Sequence, residues 1–119
     1  MIIGAGGGQE VLTARMAGFG EIEAVDINAG SFRAVRALSR FSGNLFHQPG
    51  VTAIVSDGRN YIRKTDKRYD LIYLSLVKKE SENGLGLALT ENYIFTEEAV
   101  GEYLKKLNET GRKARLFAP

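Results

Sequence analysis

At 119 residues, with 44% hydrophobic and 25% charged content, the chain suffices for one domain and has the composition of an ordinary globular protein. It has no cysteine, which excludes disulfides and thiolate metal sites, and no run approaching the ~18 apolar residues of a membrane span. The formal net charge of +2 is small, the basic residues are scattered and no leader pattern opens the chain, so no nucleic acid and no membrane contact are expected, and a cytoplasmic location is.

Residues 1–3 begin a strand, and residues 9–17 read as a helix with Val11, Leu12 and Met16 on one face, stopped by Gly18 and Gly20. The stretch EIEAVDI at 21–27 is a second strand. Residues 31–41 follow as a helix with Phe32, Val35 and Leu38 inward and Arg33, Arg36 and Arg40 on a solvated face. A QPG turn leads into a third strand, VTAIVS, from Val51. After a short helix at 59–64 comes YDLIYLSL from Tyr69, mostly apolar as central parallel strands are. Residues 77–90 read as a loop. Thr96 caps a last helix whose first turn holds Glu97 and Glu98, where the helix dipole favours negative charge, with Val100, Tyr103, Leu104 and Leu107 as its inner face. GRKARLFAP from Gly111 supplies a fifth strand. This strict alternation specifies an α/β fold: a doubly wound parallel sheet with helices on both faces and a ligand crevice at the carboxyl ends of its strands.

GAGGG at 4–8 sits where such a sheet binds ligands, between a strand and a helix. Without side chains, Gly4, Gly6 and Gly8 permit a tight turn and close backbone approach, and the N–H groups opening the helix can meet a carboxylate or phosphate. The spacing is G-x-G-x-G; the dinucleotide pattern G-x-G-x-x-G would need glycine or alanine at Gln9 or Val11. Asp26, near the end of the second strand, can accept both hydroxyls of a ribose or serve as a cap or solvated carboxylate. Asp57 can cap the short helix, accept a hydrogen bond from an adenine amino group, or both, with Gly58 making room for the ring. Asp70 reads as a backbone tether. His47 is the only histidine, and we expect no metal site.

Taken in order, IIGAGGGQE, EAVDIN, SDGRNY, YDLIYLSL and ENYIFTEEAVGEYLKKL resemble the spermidine synthase (polyamine aminopropyltransferase) branch of the class I S-adenosylmethionine-dependent methyltransferases over nearly the whole chain. The resemblance implies a Rossmann-like sheet of strand order 3-2-1-4-5. It places Gly4, Ala5, Gly6, Gly7, Gly8 and Gln9 along the methionine side of the cofactor, Asp26 at the ribose, and Asp57 and Gly58 at the adenine, with Ile27 also among the cofactor-binding residues. The implied cofactor is S-adenosylmethionine or its decarboxylated form. Two positions depart from the family. Gly7 stands where aminopropyltransferases carry an aspartate for the cofactor's amino group, and Ser75 stands where they carry the catalytic aspartate. A hydroxyl is no base at neutral pH without a partner. Lys78 and Lys79 follow, and Glu80 and Glu82 only offset them.

The first strand is short for the family and the closing antiparallel hairpin is missing, so the expectation is one S-adenosylmethionine-binding domain, 1–119, as a fragment of a longer protein. Its expected function is binding a nucleoside cofactor without aminopropyl transfer. The alternatives are a small-molecule methyltransferase, in which positioning alone can suffice, and a non-catalytic scaffold or dimerisation domain. An exposed fifth strand would favour self-association through residues 113–117.

Overall fold

The computed structural model describes residues 1–75 and 96–108, and by its backbone a strand at 115–117. Strand β1 (Ile2–Ile3) leads into helix α1 (Gln9–Met16), then β2 (Ile22–Asp26), α2 (Ala29–Ala37) and the short α3 (Ser39–Ser42). A 3-10 turn at Leu45–His47 precedes β3 (Val51–Val55), followed by α4 (Gly58–Lys64), β4 (Leu71–Leu74), α5 (Glu97–Lys105) and β5 (Arg115–Phe117). The strands form one parallel sheet in the order β3-β2-β1-β4-β5. The expected loop at 77–90, with Lys78, Lys79, Glu80 and Glu82, lies outside the described residues.

Side chains on a strand alternate between faces, and this sheet is buried on both. Ile2, Ile22 and Ala24 join Val11, Phe32, Leu45 and Phe46 in a core on the α1–α2 side. Ile3, Val25, Ile72 and Leu74 join Ile62, Ala99 and Tyr103 in a second core under α4 and α5. Phe32 and Phe46 meet edge to face with ring centres 4.9 Å apart. Full burial of one such ring stabilises by about 2–3 kcal/mol.

Four inward assignments, in three helices, are corrected. In α1 only Val11 is buried, while Leu12 and Met16 are exposed, because a step of about 100° per residue turns them off the face Val11 presents. The helix expected over 31–41 breaks at Leu38, whose ψ of 34° ends α2, and Leu38 is left exposed. In α5 the buried residues are Ala99 and Tyr103, and Leu107, just past the helix end, is buried in line with them at i, i+4, i+8. The large Tyr103 ring sets the helix's rotation, which points Leu104 outward.

Polar ties close the α4–α5 side. Arg59 on α4 is buried and pairs with Glu102 of α5 at 2.9 Å, and Arg63 reaches the same carboxylate at 2.8 Å. The two guanidiniums hold the Glu102 carboxyl down at about 2. At the amino-terminal end of the sheet the buried Glu23 accepts hydrogen bonds from Tyr69 at 2.6 Å and Tyr61 at 3.0 Å and pairs with Lys67. Burial works against its charge, but these donors outweigh it and hold the carboxyl below its ordinary range. Burial and the neighbouring Glu23 push the Tyr69 hydroxyl up. No helix among the described residues is long and apolar enough to cross a membrane.

Candidate functional site

The chain reverses direction across the sheet between β1 and β4: β2 and β3 lie to one side of β1, β4 and β5 to the other. Open α/β sheets leave a crevice at such a point, outside the carboxyl ends of the strands. The glycine turn leaves β1 there, and Ser75 leaves β4 there.

The turn is fastened from beneath. The N–H groups of Gly4 and Ala5 donate to the Val25 carbonyl at 2.8 and 3.3 Å, and that of Gly8 to the Ala5 carbonyl at 2.8 Å. Gly4 has φ +81°, and a side chain there would run into the carbonyl oxygen of Ser75. Gly8, at φ +86°, begins α1, and a Cβ would lie 2.6 Å from Leu45 Cδ2. Glycine is required at both positions, by backbone conformation and by space. Gly7 differs: among the described residues nothing lies within 4 Å of a Cβ built on it. Among the described residues no side chain caps α1. The N–H groups of its first turn therefore keep their donor capacity toward the crevice. Gln9 beside them is exposed.

Asp26 ties β2 to this turn. Its Oδ2 accepts from Gly6 N–H and its Oδ1 from Asn28 N–H, both at 2.8 Å. Sequence reasoning weighed ribose binding against a cap or a solvated carboxylate and did not foresee this clasp across the turn. Each carboxylate oxygen has a second lone pair, so the clasp leaves acceptor capacity for a sugar hydroxyl. Ile27, next in sequence, is 74% exposed, an apolar side chain at the mouth of the crevice.

Asp57 caps α4, accepting from Asn60 N–H at 2.9 Å. Gly58 is buried, and a Cβ on it would strike the Ile3 side chain. The room this glycine makes is filled by β1. Asp70 accepts from the Asn108 side chain at 3.0 Å, a tether to the segment after α5. His47 is exposed on the 3-10 turn.

Ser75 has the partner that sequence reasoning left it without. It is 4% exposed, its N–H donates to the Ile3 carbonyl at 2.8 Å, and its hydroxyl donates to Glu10 Oε1 at 2.7 Å. Glu10 was missed because a carboxylate in a first helical turn reads as a match to the helix dipole. Its contact with Ser75 spans 65 residues.

A separate cavity of about 320 Å³ opens at the opposite end of the sheet, lined by Ile22, Glu23, Lys67, Tyr69 and Leu71 among others. It has no glycine turn and no helix N-terminus.

No protein-family model matches the chain, and no curated protein matches it. Among solved structures it is similar to spermidine synthase in complex with the transition-state analogue AdoDATO, at 22% identity and a TM-score of 0.64 over 91% of this chain and 32% of that one. It is also similar to human methyltransferase-like protein 13 in complex with SAH, at 19% identity and a TM-score of 0.69 over 92% of this chain and 50% of that one. The chain therefore spans a third to a half of the length of these two proteins. The likeness is one of fold: with its parallel sheet in the order β3-β2-β1-β4-β5, the chain has the Rossmann-like fold of the class I methyltransferases, which spermidine synthase shares.

Proposed function

We propose that the chain is a nucleoside-cofactor-binding domain for S-adenosylmethionine or a close relative, seated in the crevice between the glycine turn and the ends of β2 and β4. The observation that carries this reading is the clasp of Asp26 on Gly6, which sets a carboxylate with acceptor capacity for a sugar hydroxyl beside the start of α1. The adenosyl unit would lie toward Asp26, Ile27 and Asp57, and the amino-acid end toward Gly7, Gly8 and Gln9. Both structural relatives named above hold an adenosyl-type molecule, AdoDATO in one and SAH in the other, which supports the same ligand class.

Methyl transfer is the second reading, favoured by Ser75: the end of β4 carries a hydroxyl, and transfer from a sulfonium can proceed by positioning without a strong base. Calorimetric titration with S-adenosylmethionine, its decarboxylated form and methylthioadenosine tests the proposal. Binding in the micromolar range that falls at least tenfold in Asp26→Ala is expected, since ribose hydroxyls bonded to a charged acceptor contribute about 1.5–3 kcal/mol. Absence of heat with all three ligands would reject it in favour of a non-catalytic scaffold.

A further inference from the structure

We propose that Glu10, held in place by Ser75, is the anionic group that receives the ammonium end of the bound cofactor and so makes the site selective for ligands carrying a free amine. The inference rests on the nucleoside-binding reading above and adds to it the identity of the group recognised. Three observations meet here. The Glu10 carboxylate stands in the first turn of α1, beside the glycine turn, and reaches across to the end of β4. One of its oxygens is fixed by the hydroxyl of a buried serine at 2.7 Å. Among the described residues it makes no ion pair, whereas Glu23 and Glu102 each have a cation.

A carboxylate with one oxygen fixed by a hydroxyl keeps acceptor capacity, which is what a primary ammonium requires. Fixing the side chain before the ligand arrives lowers the ordering cost of binding. Ser75 is thus a positioning residue: it aims Glu10 and has no need to touch the ligand. Its backbone lies against Gly4, so contacts join the serine, the turn and the carboxylate.

The test compares ligands with and without the amine. S-adenosylmethionine and S-adenosylhomocysteine both carry an ammonium, the second on a neutral thioether; methylthioadenosine is likewise a neutral thioether, with the same adenosyl unit and no ammonium. We expect Glu10→Gln to weaken the two amine-bearing ligands about tenfold or more and to leave methylthioadenosine within about twofold, the loss of one charge-assisted hydrogen bond. Ser75→Ala should show the same pattern at smaller size, because the carboxylate stays but loses its anchor. Unfolding midpoints of both variants check that the fold is intact. Equal weakening of all three ligands, or of none, in a folded Glu10→Gln variant overturns the ammonium assignment while leaving nucleoside binding in place. Failure of the unaltered chain to bind any of the three overturns the nucleoside reading and this assignment with it.

Discussion

A methyl group on residue 4 would meet the Ser75 carbonyl oxygen in a backbone conformation that L residues avoid. Gly4→Ala is therefore expected to lower stability by about 3 kcal/mol, strain and overlap combined. Gly7→Ala, with open space around it, should stay within about 0.5 kcal/mol of the unaltered chain. Urea midpoints compare the two, and equal midpoints would contradict the described turn. At this scale the sequence was legible where a signal is local. Asp57 and Thr96 cap the helices they precede, Thr96 accepting from Ala99 N–H at 3.1 Å. It was opaque where partners are far apart in sequence, as for Ser75 with Glu10, Asp26 with Gly6, and Gly58 against Ile3.

Between elements, the Arg59–Glu102–Arg63 cluster fastens α4 to α5. The Glu102 carboxyl sits at about 2 in the folded protein against an ordinary 4.5. A depressed carboxyl stabilises the fold fully above its unfolded value, and the contribution fades as pH falls through the folded one. Thermal melts should therefore show the unaltered chain more stable than Glu102→Gln at neutral pH, with the gap closing between about pH 4.5 and 2. A gap that persists below pH 2 would mean that the ion pairs are not its source. At the other end of the sheet, Tyr69→Phe removes a donor from buried Glu23 and is expected to cost about 1–3 kcal/mol by urea denaturation. No loss in that variant would mean that Lys67 and Tyr61 suffice for Glu23. Element type and order were legible because the hydrophobic period switches cleanly between strand and helix along the chain. Helix rotation was not, since Leu12, Leu38 and Leu104 are each apolar and near the inner face, and only the packed partner decides which leucine turns in.

For the molecule as a whole, the reversal of winding between β1 and β4 generates the crevice, and two cores of separate composition make the sheet a rigid platform beneath it. β5 ends the sheet order with β4 as its described neighbour, and pairing of two copies through residues 113–117 is expected to show as a mass that rises with concentration in light scattering. A monomeric mass throughout would discard that surface. The central claim is that the carboxyl ends of the strands, and not the cavity at their amino ends, take an adenosyl ligand. Amide chemical-shift mapping with S-adenosylhomocysteine tests it most directly. The account expects shifts concentrated at Gly6, Gly7, Gly8, Asp26, Ile27 and Asp57, with Glu23, Lys67 and Tyr69 unmoved. Shifts confined to Glu23, Lys67 and Tyr69, or no shifts at saturating ligand, would contradict it.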